Sequence, residues 1–181
     1  RYLRTVGPCI LQGEDMKIMI IGHAQHGKDT VAELLRDKFD YKLVPASWTF
    51  ADQVLRDKLG YKTTEECFED RVNHRKLWFN EIREYNTPDE TALVRLILSS
   101  GSDLYVGCRR RGELEAIKYL FDYVVWVDRS KFAEPESIES MELNRHDADT
   151  FVSNNGSLLE LETQVDILQD SISNQPNLQE G

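Results

Sequence analysis

Residues 18–30 read I-M-I-I-G-H-A-Q-H-G-K-D-T. A wholly apolar run, Ile18–Ile21, stops at Gly22, and Gly27-Lys28 follows just before an amphipathic stretch. Few structures accept this order. A short continuous apolar run bounded by glycine suits a buried strand. Gly22 lets the chain leave that strand in a tight turn, and Gly27 lets bare backbone come close to another group. Inward N–H groups of such a turn form a nest for an anion, and the N-terminus of the following helix adds partial positive charge. Lys28 adds a full one.

The spacing G-x-x-x-x-G-K between a strand and a helix is that of a phosphate-binding loop. One position is unusual: Asp29 follows the lysine where a magnesium-binding hydroxyl is common, and Thr30 comes one residue later.

Around this loop the pattern alternates. Strands are expected at Lys17–Ile21, Tyr41–Val44, Asp103–Cys108, Tyr123–Val127 and Thr150–Ser153. Helices are expected at about 28–39, 49–58, 65–85, 87–98, 113–120 and 158–172. In the last, Leu158, Leu161, Val165, Leu168 and Ile172 step by three and four behind a Ser157–Glu160 capping box. Thr87-Pro88-Asp89-Glu90 reads as a second such start. Alternation of this kind means a parallel sheet covered by helices on both faces, an α/β architecture.

Two stretches stand outside that pattern. Within 65–85, Arg71 and Arg75 are four apart on one expected helix, where they either clamp a phosphate or form a solvated face with Glu69 and Asp70. Arg109-Arg110-Arg111 follows a buried strand at the sheet edge where α/β ligands bind, so at least one of the three is expected to be functional. Residues 129–147 are polar and aperiodic, and are either a lid or a loose surface loop.

At 181 residues the chain fits one domain, with 1–15 as a loosely attached extension, 16–173 as the core and 174–181 as a frayed tail. A net charge of −10 argues against general nucleic-acid binding, yet a nucleotide site needs only local positive charge. Cys9, Cys67 and Cys108 have neither zinc nor disulfide-framework spacing, as expected of a reducing, cytoplasmic compartment. No run approaches the roughly 20 apolar residues of a membrane span, so no membrane partner is expected.

With those residues in view, the chain resembles the P-loop nucleoside monophosphate kinases, and more narrowly the deoxynucleoside monophosphate kinases of tailed bacteriophages. The resemblance spans residues 16 to about 172. It rests on G-H-A-Q-H-G-K-D-T-V-A from Gly22, Phe50–Asp52, C-F-E-D-R-V-N-H-R at Cys67–Arg75, Tyr105–Arg109, Trp126–Asp128 and Asp149–Leu158. It implies a three-layer P-loop fold with a five-stranded parallel sheet in the order 2-3-1-4-5. It further implies a helical monophosphate-binding insert at about 46–100 and a short lid at about 129–147. The implied reaction moves the γ-phosphoryl of ATP, as its Mg2+ complex, to a (deoxy)nucleoside monophosphate in the cytoplasm, a host's if the protein is viral.

By position, the resemblance implies that Gly22, Gln25, His26, Gly27, Lys28, Asp29 and Thr30 hold the ATP phosphates, with Asp29 and Thr30 serving the metal. Asn155 and Gly156 would approach the adenine. Arg71, His74, Arg75 and Arg109 would bind the acceptor, and Arg145 loosely matches lid arginines that neutralise the transferring group. Lys28, Arg109 and Arg145 would then be the catalytic set. From the residues alone, His26 either meets a phosphate or shapes the turn, and His74 either touches the acceptor or pairs on its own helix. A homodimer is compatible with the resemblance. Two rivals stay open: a small-molecule kinase like those acting on dephospho-coenzyme A, and a nucleotide-binding module without turnover. A regulatory GTPase is disfavoured because no N-K-x-D motif occurs.

Overall fold

The computed structural model describes residues 16–174. The expected extension and nearly all of the expected tail lie outside them. Four strands, β1 (Ile18–Ile21), β2 (Leu104–Val106), β3 (Tyr123–Asp128) and β4 (Thr150–Ser153), form one parallel sheet in the order β2-β1-β3-β4. Ile18 faces Leu104 on one side and Tyr123 on the other, which puts β1 inside the sheet. All four of its residues are fully buried, as a strand covered on both faces requires.

The period of two along β1 divides the core. Ile18 and Ile20 pack with Val31, Ala32 and Leu35 of α1 (Lys28–Phe39) and with Leu161, Val165, Leu168 and Ile172 of α8 (Leu158–Ser173). Met19 and Ile21 face a layer made from the remaining helices. That layer begins with α2 (Ala46–Phe50), a π-helical turn (Ala51–Leu55) and α3 (Arg56–Leu59). It continues through α4 (Thr64–Asp70), α5 (Arg75–Tyr85) and α6 (Ala92–Ser99), and closes with α7 (Arg111–Ile117). The result is three layers, helix on sheet on helix. The Ser157–Glu160 capping box forms as expected.

Three expectations are corrected. The sheet has four strands, not five. The segment expected as the second strand, Tyr41–Val44, runs beside β2 without joining the ladder. Side chains have taken its bonds: Lys42 N–H donates to the Asp103 carboxylate (2.9 Å) and Val44 N–H to the Ser102 hydroxyl (3.0 Å). Only one backbone pair survives, Asp103 N–H to Lys42 O (2.7 Å). The four strands that do form keep the relative order expected of strands 3-1-4-5.

The 65–85 helix is two helices broken at Arg71–His74, so Arg71 and Arg75 do not share a helical face. The expected cap at Thr87 is also absent. Its hydroxyl donates backward to Arg83 O (2.8 Å), and Asp89 instead accepts from the Thr91 N–H (2.9 Å) ahead of α6.

Candidate functional site

The loop between β1 and α1 is held open by its backbone. Gly22, Gln25 and Gly27 have φ of 148°, 62° and 89°. At Gly22 a Cβ would lie 2.6 Å from Val127 O, so no other residue fits. Gly27 is the N-cap of α1, and that end carries no side-chain cap. The Asn154 side-chain amide, at the end of β4, donates to His26 O (3.0 Å) and braces the loop from below.

Lys28 reaches back across the loop and donates to His23 O (2.8 Å). Burial, aided by the nearby Arg109 guanidinium, pulls its pKa below the ordinary lysine value. A charge held in this way is under-compensated and favours an incoming anion.

An anion is already there, and it belongs to the protein. Glu136, in the segment after β3, places one carboxylate oxygen on the Ala24 N–H of the loop (2.6 Å). The other lies on the Arg109 guanidinium (2.6 Å). Burial works to raise the Glu136 carboxyl, but those hydrogen bonds overcome it and hold it below the usual range. Its backbone N–H donates to His23 Nδ1 (3.1 Å). Burial and the neighbouring His26 lower the pKa of His23, whose ring meets Trp126 edge-on.

His26 turns inward. It is 1% exposed, with Nδ1 accepting from the Arg129 N–H (3.0 Å) and Nε2–H donating to Ala133 O (3.2 Å). Its ring therefore fastens the segment after β3 instead of presenting itself at the mouth of the loop. Asn155 works in the same way. Its amide donates to the Asp128 carboxylate (2.6 Å) and its oxygen accepts from the Lys131 N–H (2.9 Å). Gly156 is exposed beside it.

All three consecutive arginines grip segment 129–147. Arg109 pairs with Glu136, Arg110 with Glu142 (2.8 Å), and Arg111 with Asp147 through two nitrogens (2.7 and 3.2 Å). Met141 and Leu143 of that segment are buried in the core. The segment is thus held to the rest of the fold by these contacts. Its ends are docked and its middle reaches the loop.

The structure brings together Lys28, Arg109 and the 22–27 loop. Arg71, His74 and Arg145 have local partners instead. Arg71 lies over the Phe68 ring, 3.6 Å from its centroid, and donates to Phe68 O. His74 pairs with Asp70 (3.2 Å) across the break between α4 and α5, and Arg75 is exposed. Arg145 stacks on Phe151 of the outer strand β4 (3.6 Å). Residues that sequence reasoning missed are Glu136, His23 and Asn154. Glu136 sits in an aperiodic acidic stretch and gave no signal. Asn154 lies directly before Asn155, and only its burial separates the two.

Asp29 heads a cavity of about 350 Å³ lined also by Glu33 and Arg36 of α1, Pro45 and Ser47 at the start of α2, and Tyr105 of β2. This is the size range of small-ligand pockets. Asp29 and Thr30 offer hard oxygen donors, which suit magnesium held mainly by phosphate and water. Among the described residues no group of three or more His, Cys, Asp or Glu could hold a metal by itself. Nor is any helix among them long and apolar enough to cross a membrane. No family model matches the chain, and no curated protein matches it.

Proposed function

We propose that the chain is a P-loop kinase that transfers the γ-phosphoryl group of ATP to a (deoxy)nucleoside monophosphate. One observation carries the reading: a carboxylate bound at once by a loop amide and by Arg109, in the field of Lys28. These are donors of the kind that bind phosphate oxygens, aimed at one point from two elements.

In this reading the loop amides and Lys28 hold the donor phosphates. Arg109 neutralises the acceptor phosphate as it approaches. Magnesium, held at Asp29 and Thr30 through water and phosphate, would offset charge on the transferring group. An acceptor oxygen attacks the γ-phosphorus, the bond to the β,γ-bridging oxygen breaks, and ADP leaves with the electron pair. The acceptor is already ionised near neutral pH, so positioning and charge supply the catalysis and no strong base is required. The acceptor's sugar and base would enter the cavity headed by Asp29. Because Asp29 lines that cavity, a hydroxyl acceptor with Asp29 as its base is the second reading.

The test is ADP formation with a panel of ribo- and deoxynucleoside monophosphates and hydroxyl acceptors, by wild type and Lys28→Ala. At least one monophosphate should support turnover. The variant should lose on the order of 100-fold or more in kcat with an unchanged melting temperature. Near-normal turnover in the variant would refute the assignment, and turnover with hydroxyl acceptors alone would favour the second reading.

A further inference from the structure

We propose that Glu136 is an internal substitute for phosphate, and that an arriving polyphosphate displaces its carboxylate from the loop and thereby releases Arg109. The idea rests on the phosphate-binding reading of the loop and adds a built-in competitor to it. It also adds an order of events.

The geometry points this way in three respects. First, the two Glu136 oxygens are divided between the Ala24 N–H and the Arg109 guanidinium, both at 2.6 Å. A carboxylate that merely stabilised the surface would not need a loop amide.

Second, the neighbouring acidic residues behave differently. Glu142 and Asp147 pair with Arg110 and Arg111 and make no contact with the loop. Displacing Glu136 need not disturb either pair.

Third, the stretch around Glu136 is built to move locally. It is anchored upstream by His26 and Asn155, and downstream by buried Met141 and Leu143. Between those anchors the one large apolar side chain, Ile138, is 66% exposed. Few buried contacts oppose opening of such a stretch.

The consequence is coupling between sites. While Glu136 holds Arg109, the guanidinium is occupied. Once donor phosphates take the loop amide, the carboxylate loses one of its two partners and Arg109 becomes available to a second anion. Binding of the first anion thus prepares the site for the second. Because only the Glu136-out state binds, the measured affinity is the intrinsic affinity reduced by the fraction of molecules in that state.

The experiment is calorimetric titration with inorganic tripolyphosphate, which probes the cradle without a nucleoside. It uses wild type, Glu136→Gln, Glu142→Gln as a charge-matched control, and Lys28→Ala. Hydrogen exchange of residues 134–140 is followed in parallel. Glu136→Gln should bind about tenfold tighter than wild type, the order expected for removing a competing charge-assisted contact. Glu142→Gln should stay within about twofold, since its carboxylate does not enter the loop. Tripolyphosphate should speed exchange at 134–140 in wild type and not in Lys28→Ala. Equal or weaker binding by Glu136→Gln, with wild type binding and Lys28→Ala not, would overturn the competitor and leave the cradle standing. No binding by any of the four proteins would overturn both.

Discussion

Gly27 shows how little freedom the loop has at single residues. Its left-handed backbone disfavours any side chain, and a Cβ there would also collide with the Asn154 amide that supports the loop. Gly27→Ala should therefore cost about 1–3 kcal/mol in urea unfolding, from strain and lost support together. His23 supplies a pH signature. Its folded pKa lies below the ordinary 6.5, because burial and then His26 disfavour its charged form. The unfolded chain binds that proton more readily, so the contribution to stability is complete above 6.5 and is lost as the pH falls toward the folded value. Melting temperature should drop on acidification below 6.5, and His23→Gln should flatten that part of the profile. The two loop glycines and Lys28 were legible because backbone constraints act locally. Glu136 was not, because its role comes from a contact 112 residues away along the chain.

At the scale of elements, the three arginines act as a strap on segment 129–147. Arg111 makes a two-pronged contact with Asp147, whose side chain is only 11% exposed, whereas Arg110 and Glu142 are more open. Arg111→Ala should therefore speed hydrogen exchange across 141–147 more than Arg110→Ala does. Both stability losses should be small, as for other solvent-facing pairs. The sequence marked these arginines as too many for a plain turn but could not say what they hold. Periodicity also placed α1, β4 and α8 correctly, since each alternates against one core face. It failed at Tyr41–Val44, where Asp103 and Ser102 side chains replace the ladder, and at Arg71–His74, where an apparently continuous stripe bends.

For the whole molecule, β1 lies between β2 and β3, so the loop after it sits where chain segments diverge to either side of the sheet. That placement lets Arg109, just past β2, and Glu136, after β3, converge on one loop. In the proposed reaction Arg109→Ala should raise KM for the acceptor about tenfold or more in steady-state kinetics, with a smaller change for ATP. Equal changes would show that this guanidinium serves the donor instead.

From sequence alone came the features governed by neighbours along the chain: the glycine spacing, the position of Lys28, the alternation that demands a covered parallel sheet, and the Ser157 cap. Tertiary structure alone decided which charges meet. Arg71, His74 and Arg145 went to local rings and carboxylates, His26 turned inward, and a glutamate took the place at the loop. The reason is physical. Backbone geometry and periodicity are short-range and leave a pattern in the residues, whereas a side-chain partner is chosen among all charges that folding brings within a few ångströms.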